Sequence, residues 1–182
     1  MQDEKTIIVW DPFVRLFHWL FALAILLAWF SHEWRGTGRS WHEWFGYAAL
    51  GLAGLRIIWG FVGPRFARFS DFLHLPGHSL RYLADTIAGR EKRYIGHNPL
   101  GGLMVLALLL VALGCGVTGY YLTDRSSVFL GLGHHQQEEV HELLGNLFVL
   151  LVPLHILGVV WESVRHKENL ARAMVTGRKR TE

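Results

Sequence analysis

The sequence predicts an all-α integral membrane protein, a four-helix bundle, on three observations. Residues 13–30, 42–62, 100–122 and 139–161 form four apolar runs of roughly 18 to 23 residues, each long enough to cross a hydrocarbon core as a helix. The cations between these runs are segregated. Fourteen Lys and Arg fall to the N-terminus, the loop 64–97 and the tail 165–182, against Arg35, Arg39 and Arg125 on the other side. The positive-inside rule then places both termini in the cytoplasm. Third, the last apolar run carries two histidines, His141 and His155, and an imidazole at membrane depth needs a partner.

Composition narrows the class further. The 182 residues are 51% hydrophobic, with eight Trp and eleven Phe, and the whole chain, 1–182, reads as one membrane domain. The first run lacks a basic segment immediately ahead of it and a small-residue cleavage site behind it, so it reads as a retained helix and not a cleavable signal. The net charge of +3 matters less than where the cations lie; their segregation is a topology signal, which argues for the lipid bilayer and against a nucleic acid partner. A single cysteine, Cys115, without C-x-x-C-H, excludes covalently attached c-type haem and a cysteine-held cluster. Any metal must be held mainly by histidine.

Taken in order, Met1–Ile8 is polar and predicts no element. Trp10-Asp11-Pro12 starts the first helix, since Pro suits a first turn, and Arg15 and His18 follow in its opening turns. A short outer loop, 31–41, leads to a second helix opening at His42 and ending at Gly63-Pro64. Within the cytoplasmic loop 64–97, Gly77–Ile87 has the amphipathic pattern of a helix lying on the membrane surface. Asn98-Pro99 starts the third helix, rich in glycine, and 123–137 reads as a second outer loop. The fourth helix is followed by a basic cytoplasmic tail, 165–182.

The histidines carry the chemistry. Fourteen residues rotate an α-helix to within about 40° of whole turns and advance it roughly 21 Å, so His141 and His155 leave one face, one towards each side of the membrane. His18, near the cytoplasmic end of helix one, shares the level of His155. His42, at the outer end of helix two, shares that of His141. Two axial imidazoles on each level are what a b-type haem iron requires, which predicts two haem b groups held by the pairs His18/His155 and His42/His141. Gly102 and Gly116 on helix three repeat the fourteen-residue spacing and would admit the macrocycles. Arg15 and Arg56 lie where an inner propionate would need a cation, although Arg56 could also snorkel to the interface. His97 reads equally as a propionate neighbour, a proton acceptor at a quinone pocket or a loop histidine. His32 competes with His42, and the helical continuation after His42 favours the latter. His141-Glu142-Leu-Leu-Gly lacks the second histidine of a zinc-protease helix, and no residue is assigned as catalytic.

Trp10-Asp11-Pro12 with Arg15 and His18-Trp19, His42-Glu43 with Gly46, Gly96-His97-Asn98-Pro99 with Gly102, and His141-Glu142 with Gly145-Asn146 and His155 together resemble the bacterial cytochrome b561 / Ni-Fe hydrogenase b-type cytochrome family. The resemblance spans nearly the whole chain. It implies a four-helix protein of the bacterial inner membrane that carries two haem b groups on His18, His42, His141 and His155. It also implies electron transfer between the quinone pool and a separate periplasmic redox protein, such as a c-type or multihaem cytochrome, a hydrogenase or a reductase. A related branch of that family implies the alternative, a stand-alone superoxide:quinone oxidoreductase, for which Arg35, Arg39 and Arg125 are the outer cations.

Overall fold

The computed structural model describes residues 5–31, 34, 36–124 and 130–181; His32, Arg35 and Arg125 lie outside them. Four long helices are present: α1 (Pro12–Ser31), α2 (Gly38–Val62), α5 (Pro99–Leu122) and α6 (His134–Arg165). Between α2 and α5 come a 3-10 turn (Arg65–Ala67), α3 (Phe69–Phe72) and α4 (Pro76–Ile87). After α6 come α7 (Leu170–Thr176) and a strand, β2 (Arg178–Arg180), which pairs with β1 (Thr6–Ile8). All four long helices are apolar enough to span a membrane, and only 6 to 22% of each one's most apolar window is buried inside the protein. A helix apolar all round yet so little buried has lipid as its solvent. The protein is an all-α membrane protein.

The helices begin where the sequence supplies caps. Asp11 accepts the backbone N–H groups of Phe13 (2.9 Å) and Val14 (3.2 Å), and Asn98 that of Gly101 (2.7 Å). Both α2 and α6 start earlier than the apolar runs do. At α6 the side chain of Gln136 reaches back to the N–H of Gly133 at 2.9 Å, half of a capping box, so the polar turn ahead of the apolar run is already helical. His42 and His141 therefore stand one and two turns inside their helices. Pro153 lies within α6 without ending it.

The chain divides into two compact units. The first comprises Met1–Arg15, Ile58–Ala107 and Val152–Glu182; the second comprises Leu16–Ile57 and Leu108–Leu151. In the first, Val9, Trp10, Val14, Ala67 and Ala173 form a buried core, with Trp59 and Phe66 packed on it. The N-terminal segment, for which the sequence predicts no element, and the basic tail both carry a strand. β1 and β2 run antiparallel with Ile7 opposite Lys179. Lys179 is 5% exposed, its ammonium 3.2 Å from Tyr94 O and 3.8 Å from Glu168, which also takes two hydrogen bonds from Arg93 at 3.1 Å. In the second unit small residues allow close packing: a Cβ on Gly114 or Gly116 would meet Leu144 or Leu50 within 2.8 Å.

Candidate functional site

The second unit brings His42 and His141 together. Their ring centroids are 5.9 Å apart and their planes cross at 78°. Each ring is held by its Nδ1. His42 Nδ1 donates to Ala28 O at 2.8 Å; Ala28 falls among the last four residues of α1, whose carbonyls lack a backbone partner within the helix, and its carbonyl also accepts from the Ser31 hydroxyl at 3.0 Å. His141 Nδ1 donates to Cys115 O at 3.1 Å and lies 3.0 Å from Thr118 Oγ1. A proton committed to a carbonyl on Nδ1 leaves the lone pair on Nε2, the tautomer a metal-ligating histidine needs.

The surroundings fit an iron macrocycle. A metal between two imidazoles at bond lengths of about 2 Å places the ring centres roughly 6 Å apart, close to the distance found. The cavity beside the rings is lined by Gly46, Gly116, Gly119 and Gly145 with Ala49, Ala112 and Phe148. A Cβ on Gly46 or Gly145 would meet nothing within 4 Å, so these walls face open space. One on Gly119 would come 3.1 Å from His141 Cε1, so that glycine lets the imidazole approach α5. Among the described residues no three His, Cys, Asp or Glu gather to hold a bare ion. A two-histidine site suits a metal whose other positions a macrocycle fills.

The remaining predicted residues are placed less closely. His18 lies on α1 in the second unit, half-buried and edge-on to Trp19 at 4.9 Å. His155 lies on α6 in the first unit, also half-buried. Arg56 is 2% exposed, which is burial and not snorkelling. Arg15 donates through Nη1 to Val175 O at 2.7 Å, while its Nε is buried with no hydrogen-bond partner among the described residues, a donor suited to an anionic group. His97 packs between Trp10 (4.6 Å) and Phe72 (4.5 Å). Gly102 differs from Gly116: a Cβ there would lie 2.5 Å from Phe72 O, so its close approach is to protein backbone, whereas Gly116 lines the cavity.

Sequence reasoning missed the groups that aim the rings, Ala28 O, Cys115 O and Thr118. Only Thr118 left a signal, as a polar residue in an apolar run. Known proteins resemble the chain over nearly its whole length. The chain is 26% identical to a probable Ni/Fe-hydrogenase B-type cytochrome subunit of Azotobacter vinelandii, across 97% of this chain and 90% of the relative. A like-named protein of Rhizobium leguminosarum bv. viciae is 23% identical, across 96% of this chain and 89% of its own length. Both alignments are longer than this chain, so the relatives carry inserted residues. No solved structure matches the chain significantly. The family description prokaryotic cytochrome b561 matches residues 9–177, and the chain belongs to that family, a membrane b-type cytochrome that carries haem for electron transfer.

Proposed function

We propose that this cytochrome holds two haem b groups, His42/His141 on one level and His18/His155 on the other. It would pass electrons between membrane quinone and a separate periplasmic redox protein. The observation that carries the reading is the opposed imidazole pair of His42 and His141, each with its Nδ1 anchored. The second pair rests on the fourteen-residue spacing along α6, which gives His155 the face of His141. Bound haem supplies a one-electron couple at each level. The chain's own residues hold and tune it. Ala28 O, Cys115 O and Thr118 fix the imidazoles, and the glycine-lined wall admits a flat group. Arg15, whose buried Nε has no partner among the described residues, offers a cation for a propionate. Apolar side chains exclude water, which favours electron transfer over side reactions with solvent.

The relatives are named as hydrogenase subunits, which supports a hydrogenase-type partner for this chain. Quinone would react at the inner side, with both termini cytoplasmic on the cation distribution. The test is haem stoichiometry in purified protein. Two haems per chain with low-spin bis-imidazole spectra are expected, falling to one in His141→Ala. One haem or none in the unaltered protein would overturn the reading.

A further inference from the structure

Seven residues beyond His155, on the same face of α6 to within about 20° and roughly 10 Å further along, stands Glu162. The Tyr82 hydroxyl lies 3.2 Å from both Glu162 Oε1 and Lys92 O, which share its one proton, and Glu162 Oε2 lies 3.1 Å from Nε2 of His166, one turn on. The Glu162 and His166 side chains are 16% and 15% exposed, and Tyr82 is buried. All three belong to the first unit.

The other charged groups facing this cluster are already compensated. From the segment after α4, Glu91 is fixed by Arg165 at 2.8 Å. From β2, Lys179 is engaged by Tyr94 O and Glu168, and Glu168 is held in turn by Arg93. Asn98 and Lys92 O complete the surroundings of the Tyr82 hydroxyl. Glu162 is set apart because its nearest polar contacts are a phenol and an imidazole, not a guanidinium or an ammonium. Burial, with the Glu162 carboxylate beside it, pushes the Tyr82 phenol well above its ordinary range, so that hydroxyl remains a donor.

We propose that Glu162 and His166, with Tyr82 as donor, form a proton-accepting site coupled to the inner redox centre. As one electron from a quinol or an added reductant arrives at that centre, one proton taken from bulk water forms an O–H bond on the Glu162 carboxylate, with His166 beside it as hydrogen-bond partner. The proton returns to water when the electron departs. The physical cause is charge compensation: added negative charge about two helical turns away in a medium of low dielectric raises the proton affinity of a buried acid–base pair. The inference rests on the reading of His155 as the inner ligand. It deepens that reading by giving the quinone side of the protein a built-in proton acceptor.

The experiment is spectroelectrochemical titration of the purified full chain across about pH 5 to 8, a range that brackets neutrality. The midpoint potential of one haem is expected to fall as pH rises. Glu162→Gln should remove that slope while the haem-to-protein ratio stays unchanged. The reduced-minus-oxidised infrared difference spectrum should show a carboxylic acid C=O band that Glu162→Gln abolishes. An unaltered slope in Glu162→Gln, or no slope in the unaltered protein, overturns the proposal. If Glu162→Gln fails to bind haem, His166→Gln decides: a displaced or lost slope supports the site, and an unchanged one overturns it. His155→Ala separates the two claims, since retention of both haems there would remove the parent reading instead.

Discussion

The Oγ1 of Thr118 lies 3.0 Å from the Nδ1 of His141 and 2.7 Å from the carbonyl of Gly114. A hydroxyl has one proton, and a carbonyl can only accept, so that proton belongs to Gly114 O. Thr118 therefore accepts from His141, and the imidazole is protonated on Nδ1, with Nε2 free to ligate. Thr118→Val keeps the shape and removes the acceptor. Loss of such an outer partner typically costs 10- to 100-fold in metal affinity, about what is expected for haem at the His42/His141 level. Haem transfer to apomyoglobin, followed by the lost absorbance, measures it. An unchanged transfer rate would show that Cys115 O suffices alone.

Gly46 and Gly145 test the cavity without testing the fold. A side chain on either would enter open space, so Gly46→Val and Gly145→Val should preserve helicity and expression. The same methyl groups would occupy room the macrocycle needs, and haem content is expected to drop from two per chain towards one. Circular dichroism and the pyridine haemochrome assay together report this. Full haem content in both variants would place the macrocycle elsewhere.

The sequence and the structure agree most where one physical pattern dominates. Four apolar runs became four long helices because nothing else in the chain competes for the bilayer, and the surface helix predicted from Gly77 was found from Pro76. His42 and His141 were legible because histidine is costly in an apolar helix. Arg56 was legible as a charge at membrane depth, but its burial was not, because snorkelling and burial share one signature. Gly102 and Gly116 share a sequence period and still contact different things, Phe72 backbone in one case and the cavity wall in the other. The clasp of β1 and β2 left no signal. Two strands of three residues, one of them Arg178-Lys179-Arg180, read as basic tail, and their pairing is set by partners as distant in sequence as Tyr94 and Trp10.

Gly177 is the hinge of that clasp. Its φ is +79°, it caps α7, and its carbonyl accepts the N–H groups of Val9 (2.8 Å) and Trp10 (3.1 Å). A Cβ there would meet Trp10 O at 2.6 Å, so Gly177→Ala combines left-handed strain with a backbone clash. The expected loss is about 1–3 kcal/mol, confined to the tail. Hydrogen exchange should quicken over 170–180 and 6–10 while the long helices keep their protection. Unchanged exchange in those two segments would show that the strands do not depend on this turn.

Glu168 gives the clasp a pH dependence with a definite sign. Burial works against its charge, but the Arg180 N–H at 2.8 Å, Lys179 and Arg93 outweigh it and hold the carboxyl below the usual carboxylate range. A group whose native pKa is depressed contributes stability that is fully present above its unfolded value, about 4.3 for Glu, and is lost as pH falls through the native value. The tail should therefore stay closed from neutral pH down to that region and open progressively below it, freeing Lys179 and Arg93 as like charges. Glu168→Gln should open the tail already at neutral pH and flatten its response through the acid range. Limited proteolysis with an acid-active protease, read by mass spectrometry on detergent-solubilised protein, follows the opening. Acid opening that persists unchanged in Glu168→Gln would assign the effect to another carboxylate.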